Sequence, residues 1–174
     1  KDLEEKVNQQ EEKLSHVEIL KKAFSTNGLL AYKIENLVKD LEELTNDYLA
    51  DLSDGRFSLQ FVVSNDKLNV EIDDNGKTVD ILALSAGELA RVNTSTLLAI
   101  RKLMSSISKS RINVLFLDEV TNVLDEQGKE RLVETLLGEE NLNTYIVSHG
   151  WTHPLLSKIE VIKEDKISRL DGQS

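Results

Sequence analysis

Two acidic residues directly after a short apolar run are the strongest candidates for chemistry in this chain. Residues 114–117 are apolar, and Asp118 and Glu119 follow them. Such a run is typical of a buried strand, and open α/β sheets bind ligands at the carboxyl ends of their strands. There the first carboxylate can hold Mg²⁺ through water, and the second can orient or deprotonate a water that attacks a γ-phosphate. The alternative is a strand whose acids simply begin a loop.

A second candidate is the segment Leu84-Ser85-Ala86-Gly87-Glu88. Serine followed three residues later by glutamate, before an apolar helix, is a capping box. The same geometry leaves free backbone N–H groups and a hydroxyl at a helix N-terminus, which suits a phosphate. The two interpretations are compatible.

His149 ends the next apolar strand, one strand after the acid pair, and could therefore reach the same γ-phosphate; the alternative is an exposed or structural histidine. We expect His16 and His153 to be solvated or capping. Asn75-Gly76-Lys77-Thr78 resembles the end of a phosphate loop, but that motif needs a glycine where Glu71 stands. Asn-Gly between alternating runs predicts a hairpin turn instead.

The N-terminal part of the chain predicts two helices. Residues 1–24 carry a heptad pattern that favours one strand of a coiled coil, with a single amphipathic surface helix as the alternative. The heptad positions are Leu3, Val7, Gln10, Leu14, Val17, Lys21 and Phe24. Residues 25–28 break this helix, and a second amphipathic pattern runs from Leu29 to Leu52 and ends at residues 53–55.

Beyond Gly55 the apolar period changes from 3.6 to 2, which predicts a three-stranded antiparallel meander. We expect turns near Asn65-Asp66 and Asn75-Gly76, with Val79 and Ile81 in the third strand.

From Ser85 the pattern alternates between helix and strand, which indicates an α/β fold with a parallel sheet. Residues 86–108 predict a helix with one apolar face, made of Leu89, Val92, Leu103 and Ile107. Residues 112–117 predict a strand buried on both faces. A helix at 126–137, a strand at 144–147 and a β-pair at 159–162 and 167–170, turning at residues 164–166, complete the chain.

The composition bounds the possible functions. The chain has 174 residues with no cysteine, which excludes disulfides and thiolate sites. No apolar stretch is long enough to span a membrane. The net charge of −10 does not indicate a nucleic-acid-binding face. We expect the chain to be a fragment of a longer protein.

The order of these motifs resembles the C-terminal half of an ABC-type ATPase head. Residues 84–88 match the signature motif, 114–119 the Walker B strand, 122–125 the D-loop and His149 the switch histidine. Residues 23–29 and 46–57 resemble the coil-to-head junction of SMC-like double-strand-break-repair ATPases that pair with a nuclease, such as bacterial SbcC-like proteins and phage recombination endonuclease subunits. The resemblance covers essentially the whole chain. It departs at two positions. Ala86 stands where the first glycine of the signature motif is commoner, and Val120 stands where a proline often follows the acid pair.

The resemblance implies a role for each matching residue. Asp118 would help hold Mg²⁺, Glu119 would activate water and His149 would contact the γ-phosphate of ATP. Ser85, Ala86 and Gly87 would contact ATP bound to an opposing head, with Glu88 bracing that loop. Asn122 and Asp125, in the D-loop, would also be cofactor-binding residues, and Asp125 would line the dimer interface.

The resemblance also implies the domains and partners. Residues 1–27 would end a coiled-coil strand, and residues 28–174 would form the C-terminal lobe. Partners would be the missing N-terminal half with its Walker A motif, a second head, a nuclease subunit and DNA. The protein would act in the cytoplasm and would not bind a membrane. ATP binding and hydrolysis would gate DNA access to the nuclease. The alternatives are a chromosome-organising SMC protein, a recombination mediator without a nuclease, and a non-catalytic coiled-coil structural protein.

Overall fold

The computed structural model describes residues 2–25, 28–64, 67–108, 112–164 and 167–172. In chain order the elements are α1 (Asp2–Ala23), α2 (Leu29–Ser53), β1 (Phe57–Ser64), β2 (Lys67–Asp74), β3 (Lys77–Val79), α3 (Ala86–Ile107), β4 (Val114–Asp118), α4 (Glu126–Leu137), β5 (Asn143–Val147), β6 (Ile159–Glu164) and β7 (Ile167–Gly172). Short 3₁₀ turns, Ile81–Ala83 and Val120–Asn122, precede α3 and α4. Three pairs from the predicted breaks and turns, Thr26-Asn27, Asn65-Asp66 and Asp165-Lys166, lie outside the described residues.

The two predicted N-terminal helices are confirmed as α1 and α2. A Cβ added to Gly28 would lie 2.3 Å from the carbonyl oxygen of Ala23, so the turn between the helices is too tight for a larger residue. Asp54 and Gly55 end α2 in the left-handed region, at φ 59° and 71°. The heptad side chains of α1 are exposed, and the coiled-coil partner stays a prediction.

The meander has the predicted antiparallel order β1-β2-β3. Asn75 and Gly76 both have positive φ, as an Asn-Gly hairpin turn requires. The prediction that Ile81 continues the third strand is wrong. The Asp80 side chain accepts a hydrogen bond from the backbone N–H of Leu82 at 2.8 Å, which starts a 3₁₀ turn there instead.

Helix α2 supplies side chains that pair with the free edge of β1. Asn46 both donates to the carbonyl of Leu59 at 2.8 Å and accepts from its N–H at 2.6 Å. Glu42 accepts from the N–H of Phe61 at 2.7 Å. These bonds hold the meander against α2, because a sheet edge otherwise leaves such groups unpaired.

Strands β4 and β5 pair in parallel, and helices α2, α3 and α4 pack on one face of the pair through an apolar cluster. Leu115 and Leu117 are buried in that cluster, whereas Phe116 on the opposite face is 68 % exposed and stacks on Tyr145. The prediction of a strand buried on both faces is therefore wrong for the described chain. The three helices cover the same face, so the other stays open.

The predicted apolar face of α3 is only partly correct. Val92 is buried, but Ile107, in the last turn of the helix, is 57 % exposed. The helix residues in the core are Val92, Thr94, Ser95, Leu98 and Ala99. Strands β6 and β7 form the predicted antiparallel pair. Among the described residues, no helix combines the length and apolar character needed to cross a membrane.

Candidate functional site

The acid pair lies where β4 ends and the backbone turns sharply. Asp118 is the last residue of β4 and is in register with Val147 of β5. Glu119 has a left-handed backbone, at φ 54° and ψ 13°, and donates its N–H to the carbonyl of Val147 at 2.9 Å. This conformation is uncommon for a residue with a side chain and is often found at functional sites. It ends the strand and starts the 3₁₀ turn that contains Asn122.

His149 follows the end of β5 and meets the second acid. Its Nε2 lies 3.0 Å from Oε1 of Glu119. The His149 side chain is 81 % exposed and that of Glu119 is 53 % exposed, so both can reach a ligand above the strand ends. The parallel pairing of β4 and β5 explains this meeting, because it brings their carboxyl ends to the same edge.

The predicted capping box is present at the N-terminus of α3. The hydroxyl of Ser85 accepts from the N–H of Glu88 at 3.3 Å, and the Glu88 carboxylate accepts from the N–H of Ser85 at 2.9 Å. These bonds from Ser85, together with the nearby Arg56 guanidinium, hold the pKa of Glu88 below its usual range.

Arg56 joins this segment to the meander. Its guanidinium donates two hydrogen bonds to Asp74, at 2.9 and 2.7 Å, and its Nη1 lies 2.8 Å from Oε1 of Glu88. The hydrogen bonds from Arg56 also lower the pKa of Asp74. Arg56 has no role in the sequence-based predictions.

The start of α3 also contacts the segment between β4 and α4. A Cβ added to Gly87 would lie 2.7 Å from the carbonyl oxygen of Val123, so the two backbones touch only because residue 87 is glycine. Asp125 caps α4 by accepting from the N–H of Gly128 at 2.8 Å. The same Asp125 oxygen lies 2.6 Å from Nη2 of Arg91 on α3. The candidate residues thus form two groups, one at the strand ends and one around the α3 N-terminus.

Arg56 and Arg91 are the two residues that sequence analysis missed. In the sequence, Arg56 is distinguished only because it lies within residues 46–57, which resemble the coil-to-head junction. No feature of the sequence indicates a role for Arg91. Their partners are distant in sequence, 34 positions away for Arg91, so local spacing does not indicate them.

The other two histidines lie apart from these groups. His16 is exposed on α1. The side chain of His153 is only 8 % exposed, and its Nε2 lies 3.0 Å from Glu130. Its Nδ1 accepts from the N–H of Leu155 at 3.2 Å. His153 is therefore a capping residue of a loop, and the alternative of a solvated side chain is wrong.

Metal binding at this site would depend on very few protein ligands. The described residues contain no group of three or more histidine or acidic side chains that could hold a metal ion. Asp118 offers a single carboxylate at the strand end. That fits Mg²⁺, which takes one or two carboxylates and completes its shell with water and substrate phosphate oxygens.

Comparison with known proteins identifies relatives by sequence. No protein-family model matches the chain. The chain is 49 % identical over 137 residues to the "Probable exonuclease subunit 2" of Escherichia phage T5. It is 26 % identical over 175 residues to the DNA double-strand break repair Rad50 ATPase of Thermoplasma acidophilum. The chain is homologous to these proteins.

The chain spans only a small part of these relatives. The match to the phage subunit covers 79 % of the chain and 22 % of the relative, and the Thermoplasma match covers 98 % and 18 %. The aligned region is therefore a limited segment of much longer proteins.

Solved structures show the same fold. The chain matches a structure described as "Structural biochemistry of ATP-driven dimerization and DNA stimulated activation of SMC ATPases" with a TM-score of 0.66, 19 % identity, and coverage of 82 % of this chain and 89 % of that one. It matches the Smc head domain with a coiled coil and joint of Pyrococcus yayanosii with a TM-score of 0.61, 20 % identity, and coverage of 99 % and 32 %. The predicted fold class, part of an ABC-type ATPase head with N-terminal helices and an antiparallel meander, is confirmed.

Proposed function

We propose that this chain is the C-terminal part of an ATP-binding and hydrolysing head that serves a DNA repair or recombination nuclease complex. The observation that carries the proposal is the contact between Glu119 and His149 at the adjacent ends of β4 and β5. The homology to the phage exonuclease subunit and to Rad50 ATPases supports this assignment.

The strand-end group binds the reacting phosphate and the attacking water. Asp118 would help to hold Mg²⁺, and the ion would supply positive charge to the phosphate groups. Glu119 orients the water and accepts its proton. His149 contacts the γ-phosphate, and its Nε2, 3.0 Å from Oε1 of Glu119, keeps the two side chains together. The exposure of both side chains leaves room for nucleotide above the strand ends.

The α3 group acts on nucleotide bound to a second copy of the head. Ser85, Ala86 and Gly87 present a hydroxyl and backbone N–H groups at a helix N-terminus, which suits an anion. Glu88 braces this segment through the capping box. Asn122 and Asp125 line the interface between the two heads. ATP is thus sandwiched between two copies, and its hydrolysis gates DNA access to a nuclease subunit.

The remaining part of the head supplies what this chain does not contain. The sequence has no phosphate loop, so a preceding N-terminal lobe provides the Walker A lysine. The exposed face of β4 and β5, with Phe116 stacked on Tyr145, suits packing against that lobe, because large exposed apolar patches mark interfaces. The homology to a phage subunit fits action in the cytoplasm of the infected host.

A mixing experiment tests the sandwich. In the full-length protein, Ser85→Arg should prevent the variant head from docking on ATP bound to the opposing head. The variant head should still bind ATP at its own site, because the affected contact lies across the dimer. A Walker A variant should lose ATP binding in its own head. Each mixed dimer then has one intact site, so ATPase activity should return on mixing, measured against the mixing ratio together with dimer mass by light scattering. Loss of ATP binding in the Ser85→Arg monomer, or no recovery on mixing, would contradict the proposal.

A second candidate is an SMC-type ATPase that works without a nuclease, and the fold likeness to SMC heads favours it. Affinity purification of the full-length protein from its host separates the two. Recovery of a nuclease subunit in stoichiometric amounts supports the first candidate, and its consistent absence supports the second.

A further inference from the structure

The structure assigns a positioning role to Arg56, which rests in part on the function proposed above. We propose that its guanidinium holds the segment 85–88 in its phosphate-facing arrangement and ties that segment to the end of α2. Arg56 does not contact nucleotide in this proposal; it acts through Glu88.

Arg56 is itself fixed by its surroundings. It follows the left-handed end of α2, and its carbonyl accepts from the N–H of Asn75 at 3.2 Å. Its guanidinium lies over the ring of Phe57, with 4.4 Å between the guanidinium carbon and the ring centroid. The ring is buried in the core beneath the meander, so the guanidinium rests on a rigid base.

From this base the guanidinium reaches two carboxylates. It binds Asp74 with two hydrogen bonds and Glu88 with a third donor. The second oxygen of Glu88 accepts from the N–H of Ser85 at 2.9 Å. A continuous series of charge-assisted hydrogen bonds therefore runs from the meander through Arg56 and Glu88 to the first residue of the phosphate-facing segment.

The same connection links this segment to the helices at the N-terminus. Arg56 lies immediately beyond the turn that ends α2, and α2 begins at the tight turn after α1. A movement of the α2 end relative to α3 would have to move or break the contact to Glu88. Arg56 thus couples the position of α2 to the geometry of Ser85 and Gly87.

The test compares three variants of the full-length protein. Arg56→Gln removes the charge and the fork of donors, and Arg56→Lys keeps the charge but cannot bridge both carboxylates in the same way. Arg131→Gln is the matched control, because Arg131 pairs with Asp54 at the same end of α2, at 2.7 Å, without touching Glu88. Chemical denaturation of each variant checks that their free energies of unfolding are similar.

The first measurement is hydrogen exchange of peptides that cover residues 84–90, without nucleotide. We expect exchange to be roughly two- to five-fold faster in Arg56→Gln, the range typical of a partly exposed ion pair, and unchanged in Arg131→Gln. Arg56→Lys should be intermediate. Unchanged exchange in Arg56→Gln, or equal acceleration in the control, would overturn the positioning role.

The second measurement separates this inference from the proposed function. Arg56→Gln should leave ATP affinity of the single head unchanged and raise the ATP concentration needed for head dimerisation. Faster exchange with unchanged dimerisation would uphold Arg56 as a positioning residue and refute the contact of segment 85–88 with the opposing nucleotide.

Discussion

Glu119 combines a left-handed backbone with an exposed carboxylate 3.0 Å from His149. A strand that continued in extended conformation would send the side chain of residue 119 to the opposite face from that of Asp118. The turn at Glu119 instead allows both acids to serve one ligand at the strand end. The unusual backbone conformation therefore fits the proposed division of labour between the two carboxylates.

Replacing this carboxylate should separate binding from hydrolysis. In the full-length protein, Glu119→Gln keeps the shape of the side chain but removes its basicity. We expect ATP binding to persist and hydrolysis to fall by about 100- to 10,000-fold, the usual contribution of a general base. Glu126→Gln, an exposed acid at the start of α4, is the control and should hydrolyse ATP normally. Normal turnover by Glu119→Gln would exclude its role as the base.

The capping box should make stability depend on acid pH. The pKa of Glu88 is lowered from its usual value of 4.5, mainly by the bonds from Ser85, so the folded state prefers the ionised carboxylate. The contribution of the ionised Glu88 carboxylate to the free energy of unfolding is present above pH 4.5 and is lost as the pH falls through the lowered pKa. In denaturant titrations over that range, Glu88→Gln should lose less stability than the unchanged protein. An identical pH dependence in the two proteins would contradict this assignment.

Among the elements, the contact between the start of α3 and the turn before α4 leaves no room for a side chain at position 87. A Cβ at position 87 would lie 2.7 Å from the backbone oxygen of Val123, closer than real contacts allow. The N-terminus of α3 and the segment before α4 can therefore meet only with glycine at this position.

Gly87→Ala should push these two segments apart and destabilise the protein by about 1–3 kcal/mol, as overpacking usually does. Gly138→Ala is the matched control, because its Cβ would lie 3.4 Å from the nearest atom, an ordinary contact, and its φ of −72° suits alanine. Chemical denaturation measures both. Equal stability of the two variants would show that the segments can separate at no cost.

At the scale of the whole molecule, the main feature is that helices cover only one face of the parallel strand pair β4 and β5. Helices α2, α3 and α4 bury Leu115 and Leu117, while Phe116 and Tyr145 remain exposed on the other face. Burial of such residues is worth roughly 25 cal/mol per Å² of apolar area, which favours association through this face.

The 174-residue chain on its own should therefore self-associate, and co-expression with the N-terminal lobe should prevent this. Replacing Phe116 and Tyr145 together by threonine should reduce the association, whereas Leu155→Ser, at an exposed leucine in the loop after β5, should not. Sedimentation velocity at several concentrations measures the effect. A monomeric chain that shows no affinity for the N-terminal lobe would instead indicate a self-contained domain.

Local patterns in the sequence were sufficient for most of the secondary structure and for the capping interactions. Helix α4, the Asn75-Gly76 turn and the capping box of Ser85 and Glu88 depend on interactions within four or five positions, which spacing and residue type reveal. The parallel pairing of β4 and β5 joins residues far apart in the sequence, but the helix between the two strands still predicts it. Their shared edge then explains the meeting of Glu119 and His149.

The contacts of Arg56 and Arg91, and the close approach of Gly87 to Val123, became visible only in the folded chain. Each joins residues from different elements, so it depends on the angles at which helices and strands pack. The open face of β4 has the same origin. An apolar run shows that a strand can be buried on both faces, but which of its faces are covered depends on where the neighbouring helices lie.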